Sequence, residues 1–488
     1  MLKNNDSLSV NTTARGALLV ALALAATGSA RAEGKGTDDT SRFSDKPAPL
    51  DLATFPQRPP PLLELGDKFL STGNLQKGYT LPTGEVISPN FWVFGSDRTA
   101  IQTFDNGGGA KTRVTEWANR LDLFGNLQFS PTERILVGFR PVDQALPNGS
   151  SAFSGYRFEP TATHGPQEAF SATPRTLFFE GELGEMFPRL DDHDRKNFDY
   201  GFAVGRQPLT LQDGIMANDN SVDMFSLTRN SVVIPGGSTL RISGLVAAGQ
   251  IERPNYSNAN VANGKDKGAI LTGIDMAADF PVSTLEADLL YESGSHGGDA
   301  FYAGLGSIQR IGKLNTTFRV NTSVALEPDL QQRVTSGTLV TMQLSYTLPG
   351  SQDLVYLDGF VGIDRFSSAD RDPSAGGPLG NLGILNAAVG LGQYGAPISN
   401  QADRAAGAAL GYQLFFGELH RTQLIFEVGG RASTGHPNLL RQQAAEGIGA
   451  RFQQAFGRRF ILILDTFGVN RDTASAAVGG RVEWLTKF

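Results

Sequence analysis

From Asn90 onward, apolar and polar residues alternate with a period of two. Leu121, Leu123, Gly125, Leu127 and Phe129 alternate with Arg120, Asp122, Phe124, Asn126 and Gln128. Leu285, Ala287, Leu289 and Tyr291 stand against Glu286, Asp288, Leu290 and Glu292, and Phe318, Val320, Thr322, Val324 and Leu326 against Thr317, Arg319, Asn321, Ser323 and Ala325. Successive side chains of a strand point to opposite faces, so each segment predicts a strand with one apolar and one polar face. The pattern and its turn signals predict strands at 90–104, 113–129, 133–142, 175–187, 198–207, 222–233, 238–250, 268–280, 285–293, 300–310, 315–327, 336–348, 354–366, 404–416, 422–433, 443–456, 460–470 and 475–488.

A water-soluble sandwich also alternates, so the connections discriminate. Short turns (Ser130-Pro131-Thr132, Pro235-Gly236-Gly237, Pro281-Val282-Ser283, Pro349-Gly350, Gly457-Arg458) take turns with longer polar loops. Periplasmic turns and extracellular loops of an outer-membrane barrel alternate in this way. The expected fold is all-β: a transmembrane antiparallel β-barrel of about 18 strands over residues 89–488.

Composition agrees. Of 488 residues, 40% are hydrophobic and 58 are glycine. No run of about eighteen apolar residues follows the first thirty positions, which excludes membrane-spanning helices. A barrel strand needs only every second residue apolar, so the mean hydropathy of -0.18 is compatible with crossing lipid. A net charge of -7 gives no basic footprint for nucleic acid. The absence of cysteine removes disulfides, thiolate metal sites and cysteine nucleophiles.

Before the strands, Lys3 and Arg15 flank a polar start, Gly16 to Thr27 is a short apolar stretch, and Ala30-Arg31-Ala32 supplies small residues for cleavage. Residues 1–32 therefore read as a signal peptide. Residues 33–88 are punctuated by Pro47, Pro49, Pro56 and Pro59 to Pro61 and read as an extended periplasmic segment. Its apolar piece, Leu62-Leu63-Glu64-Leu65 through Phe69-Leu70, is a candidate docking site for a periplasmic partner, or part of a tether with none.

Aromatic residues fall near strand ends: Phe91, Trp92, Trp117, Tyr346, Trp484 and Phe488 are candidates for interfacial girdles. The ending Val482-Glu483-Trp484-Leu485-Thr486-Lys487-Phe488 resembles the C-terminal signal of bacterial outer-membrane barrels of the porin class. The resemblance implies that Trp484 and Phe488 present the chain to the barrel assembly machinery. Val204-Gly205-Arg206-Gln207, followed by Asp213-Gly214, resembles a strand motif of the alginate-export family of porin-like barrels, which also have 18 strands.

A closed barrel this wide leaves a lumen that side chains alone do not fill. A charged arginine or lysine facing mid-membrane lipid costs about 2–4 kcal/mol, so the polar row should face inward. The pore-lining candidates are Arg120, Asp122, Arg134, Arg140, Glu180, Glu182, Arg241, Asp275, Glu286, Asp288, Arg319, Asp358, Asp364, Glu427, Arg431, Arg451 and Arg481. Arginines concentrate early and carboxylates in the middle, an arrangement that sets a transverse field across a constriction. The connection Ser367 to Asp403, with its Gly-rich apolar tract Gly376 to Gly395, is a candidate for folding into the lumen by resemblance to porins; an exposed loop is the alternative.

Asp213, Asn218, Asp219, Asn220 and Asp223 offer oxygens, but the spacing of a calcium loop is absent, so no metal site is assigned. His164, His193, His296, His420 and His436 all fall in predicted loops or turns, and no Gly-x-Ser-x-Gly or His-Glu-x-x-His motif occurs. No cofactor and no enzymatic activity are expected. The expectation is a channel in the bacterial outer membrane, in contact with its lipids, passing small hydrophilic solutes or ions. The alternatives are a barrel exporting an anionic polysaccharide, and a sheath or surface receptor with an occupied lumen.

Overall fold

The structure is a computed structural model that describes residues 58–66, 78–105, 113–145, 151–190, 198–253, 264–294, 298–327, 333–417, 419–435, 444–472 and 475–488. These lie in one compact unit, Pro56–Phe488. The expected signal peptide, residues 1–32, lies outside the described residues.

Eighteen antiparallel strands close into a barrel. In chain order they are β1 (Asn90–Asp105), β2 (Arg113–Gln128), β3 (Arg134–Phe139), β4 (Pro174–Glu182), β5 (Tyr200–Leu211) and β6 (Ala217–Val232). Then come β7 (Thr239–Ala248), β8 (Ile270–Phe280), β9 (Ser283–Ser293), β10 (Ala300–Ile311), β11 (Leu314–Ala325) and β12 (Gly337–Thr347). The last six are β13 (Leu354–Arg365), β14 (Asp403–Phe416), β15 (Thr422–Ser433), β16 (Ala445–Phe456), β17 (Phe460–Arg471) and β18 (Ala477–Lys487). Each pairs with the next, and β18 pairs with β1 from Lys487↔Ser96 to Gly479↔Phe104, which removes the open edge. An even strand number lets an antiparallel ring close in this way. No helix among the described residues is long and apolar enough to cross a membrane.

Most short turns gather at one end of the barrel, with Asn90 and Lys487, and most longer connections at the other; the long connection after Glu182 and the short one after Leu211 are exceptions. The outer face is apolar, as the alternation requires: Leu305 is 64% and Ile448 66% exposed, in a band with Leu289, Phe318, Val361, Phe426 and Val482. Trp484 lies in that band near the turn end, between the rings of Phe456 and Phe460 at centroid distances of 5.8 and 5.6 Å.

The third wall position differs from the expected continuous strand. β3 pairs with the turn-end half of β2, from Gln128↔Arg134 to Leu123↔Phe139. The chain then leaves the wall, and Ser151–Glu159 returns to pair with the other half, from Asn119↔Ser154 to Thr115↔Glu159. Pro141, which has no N–H for the ladder, follows the departure point, and Arg140 turns to Asp122.

Of the apolar piece of the N-terminal segment, Leu62 to Leu65 dock on the barrel itself, and Phe69 and Leu70 lie outside the described residues. Leu63–Leu65 pairs antiparallel with Phe91–Val93 of β1, where β18 has ended. Tyr79–Thr80 and Val86–Ile87 form a small separate ladder ahead of β1.

Candidate functional site: the barrel lumen

Three connections turn into the barrel and shape its interior. The longest is 366–402, between β13 and β14. Its Leu379, Leu382, Leu385, Leu391, Tyr394 and Ile398 are buried, so the Gly-rich tract is a packed element inside the wall. Leu385, Tyr394 and Ile398 pack with Phe104, Val114 and Phe467, and Leu379 and Leu382 with Ile215, Leu339 and Phe360.

Polar wall residues fix its path. Glu427 of β15 accepts the backbone N–H groups of Ile384 at 2.7 Å and Leu385 at 2.8 Å, and the Tyr356 hydroxyl. Gly383 turns with φ 78, and a Cβ there would run into the Glu427 carboxylate, so the loop approaches the wall only with glycine at this position. Arg431 donates to the carbonyls of Ser399 and Gln401. Further round the wall, past β16 to β18, Arg98 and Gln102 of β1 donate to the carbonyls of Val389 and Leu391, and Arg120 of β2 to that of Gly390 at 2.9 Å. Glu116 accepts the Gln393 N–H. The loop therefore crosses from β15 to the β1–β2 wall.

The second intrusion is the β5–β6 tip. The sequence pattern ends these strands at 207 and resumes them at 222, but they continue to Leu211 and from Ala217. Leu209, Leu211, Met216 and Val222 join Leu245, Leu271, Leu290 and Tyr302 in an apolar cluster inside the barrel. Ala217 and Asn218 pair in parallel with Asp370 and Arg371 of the long loop. Gln212 donates to Asp288 at 2.6 Å and accepts from Arg319 at 3.2 Å, while Arg319 also pairs with Glu286.

The third is the excursion after β3. Arg140 and Arg120 both reach Asp122, at 2.8 and 2.7 Å, and Arg175 pairs with Asp372 of the long loop. Burial raises the Asp372 carboxyl, but Arg175, Arg140 and Ser374 outweigh it and hold the group below its ordinary value. Asp143 of the excursion is pushed up to about 6 by burial, against the pull of Arg140, Arg120 and Arg175.

A further chain of charges runs across β16, β17, β18 and β1. Arg451 bonds Asp465 at 2.7 Å, Arg481 bonds both Asp465 and Glu483, and Arg98 bonds Glu483 at 2.7 Å.

Of the remaining candidates, Arg134 pairs with Glu180 at 2.5 Å and Arg241 with Asp275 at 3.2 Å. Asp358 is buried on the inner row of β13, and Glu182 stands at the start of the short helix Leu183–Met186 at the turn end. Asp364 is separate from these: it falls on a bulge between β13 and β14 and is exposed at the rim, 3.7 Å from Arg404. Trp92, a girdle candidate in the sequence, lies on the inner row with Phe94 and Arg98.

Sequence reasoning missed Arg98 and Asp465. Asp97 and Arg98 are adjacent, so charge falls on both faces of β1, and Ile461 to Leu464 are apolar on both faces of β17. It also missed Asp372 and Gln212, whose connections carry no period, and Arg175, the second residue of β4. Among the described residues, no group of three or more His, Asp or Glu is placed to hold a metal ion. Asp213 instead accepts from Asn381 and Asp223 from Arg206.

A closed antiparallel barrel, apolar outside, charged inside and crossed by a long loop, has the fold of an outer-membrane porin. Solved structures share that shape. The outer membrane protein OpdK of Pseudomonas aeruginosa matches with a TM-score of 0.51 at 13% identity, over 82% of this chain and 98% of its own. Pseudomonas aeruginosa OccK11 (OpdR) matches at 0.50 and 12% identity, over 82% of this chain and 96% of that one. Acinetobacter baumannii OccAB4 matches at 0.50 and 11% identity, over 84% and 100%. No protein-family profile and no curated protein matches the sequence. The alginate-export resemblance of Val204 to Gln207 is not supported by these neighbours; Arg206 there is an ion-pair partner of Asp223.

Proposed function

We propose that this protein is a non-enzymatic channel of the bacterial outer membrane, exported by its first 32 residues, that passes small hydrophilic solutes. The observation that carries the reading is the inner wall. Charged side chains on at least eight strands face inward, and the long loop narrows the bore by bonding to them. Charges on such a wall bias which solutes enter a constriction. The pore-lining set is the seventeen sequence candidates less Asp364, extended by Arg98 and Asp465. The turn end is periplasmic, and the barrel assembly machinery reads Trp484 and Phe488 on β18.

The loop crossing argues against polysaccharide export, because a polymer needs a continuous wide bore. The sheath and receptor readings predict no conductance. Single-channel recording of the purified barrel in a planar bilayer tests the proposal, with solute-driven liposome swelling as the transport readout. OpdK has been crystallised with vanillate, which is a suitable first probe. Discrete conductance steps with swelling are expected. A silent, folded barrel would defeat the channel reading.

A further inference from the structure

A groove of about 670 Å3 opens on the inner wall at the turn end, apart from the long loop. Its floor is aromatic: the rings of Phe94 and Phe124 stack with centroids 5.4 Å apart and planes 19° from parallel. Gly138 is opposite Phe124 in the register, and a Cβ there would come 2.7 Å from the ring, so glycine lets the ring lie against the wall. One step along, Trp92 is paired in register with Asn126.

Asn126 is 1% exposed, and neither its amide nitrogen nor its amide oxygen has a hydrogen-bond partner. Buried amides are ordinarily satisfied, and this one lines the groove with a donor and an acceptor side by side. The charges around it are compensated or hydrated. Arg134 is paired with Glu180, Arg58 with Glu64, and Lys487 is exposed to water. Because Arg134 already has a carboxylate beside it, an anion gains less there than it would next to an unpaired arginine. A flat ring would find an aromatic surface, and a carboxamide would find its complement in Asn126.

We propose that this groove is a binding site for uncharged planar aromatic amides, with the ring stacked beside Phe94 and Phe124 and the carboxamide exchanging two hydrogen bonds with Asn126. The inference adds a ligand class to the channel reading, but its test does not need conduction. The folded barrel in detergent is titrated with nicotinamide while tryptophan fluorescence is followed. Trp117 and Trp484 lie on the outer face, and Trp92→Phe supplies their background.

Saturable quenching is expected, lost in Trp92→Phe. Phe124→Ala and Asn126→Leu should each weaken binding by about tenfold or more, because a site built to hydrogen-bond a group rejects what cannot reciprocate. Nicotinate and cyclohexanecarboxamide should bind the unaltered protein more weakly by a similar factor, a comparison that needs no variant to fold. Quenching that does not saturate, affinities unchanged in the variants, or nicotinate binding as well as nicotinamide would each overturn the proposal. Saturable binding by a barrel that does not conduct would keep the site and remove the channel reading; a conducting barrel without binding would do the reverse.

Discussion

The Glu427 carboxylate holds Leu385 through the backbone, accepting its N–H at 2.8 Å while the other oxygen takes the neighbouring N–H of Ile384 at 2.7 Å. One wall residue thus fixes the middle of the loop that crosses the lumen. Hydrogen bonds to a charged group are worth about 1.5–3 kcal/mol each. Glu427→Ala removes two of them and should release the loop from β15. Larger, noisier single-channel currents and faster protease cleavage within 376–395 are expected, with the barrel still folded. Currents and cleavage equal to those of the unaltered protein would show that the contacts elsewhere hold the loop by themselves.

The chain Arg451, Asp465, Arg481, Glu483 and Arg98 depends on its middle carboxylate, which serves two arginines. Asp465 and Arg481 are nearly buried. Removing one partner of a buried pair leaves an uncompensated charge, at a cost of about 3–5 kcal/mol. Asp465→Asn should therefore lower barrel stability by that order, read from urea unfolding in detergent. The isosteric change keeps shape, so a midpoint that does not move would mean that the arginines reach water instead.

How much of this was legible in the sequence follows from the period. Leu121 to Phe129 and Leu285 to Tyr291 each turn an apolar row outward, and such strands alternate cleanly and lie within a few residues of their expected bounds. Legibility failed where the inside is apolar. Leu209 and Leu211 point into a cluster within the lumen, so the polar-inside rule cut β5 short. It failed again at β3, where Pro141 interrupts the wall and the chain re-enters at Ser151. Charges could be assigned to a face, but their partners depend on register between distant strands. Arg98 and Glu483 stand 385 positions apart, and nothing local in the sequence signals that pair. The alternation places Arg319 and Asp288 on the inner face simply as pore-lining charges. Both are buried and joined through Gln212, so their loss should loosen the β5–β6 tip.

Glu85 precedes β1 at the turn end, outside the spanning strands. Its carboxyl is raised from 4.5 to about 6 by burial, with Glu133 and Glu185 adding repulsion. A group with a raised folded-state value holds its proton longer in the folded form than in the unfolded form. Between about pH 4.5 and 6 the folded form binds more protons, so local stability falls as pH rises through that window. Hydrogen exchange of the 78–88 segment, corrected for intrinsic rates, should quicken across it, and Glu85→Gln should flatten the dependence. A pH profile identical in the two proteins would assign the effect to another group.

The last prediction concerns closure. Phe488 and Gly95 exchange two backbone hydrogen bonds, Gly95 N–H to the Phe488 carbonyl at 2.7 Å and Phe488 N–H to the Gly95 carbonyl at 3.0 Å. These are the final rungs of the β18–β1 seam. Beyond them Leu62 and Leu63–Leu65 take over the edge of β1, and Arg459 donates to the carbonyl of Pro60. The seam is where the ring must close to leave no backbone group unpaired in lipid. Trp484 stands in the apolar outer band on the same strand, set between Phe456 and Phe460. Deleting Phe488 should open the seam at its turn end, and Trp484→Asp should place a charge in the apolar band. Each should reduce the heat-modifiable, folded fraction in membranes severalfold. Because Leu63–Leu65 continues the seam, the control must lie upstream of it; Pro47→Ala should assemble like the unaltered chain. If all three variants assemble equally, neither the terminal rungs nor the Trp484 ring governs closure, and the resemblance of β18 to an assembly signal carries no functional weight in this protein.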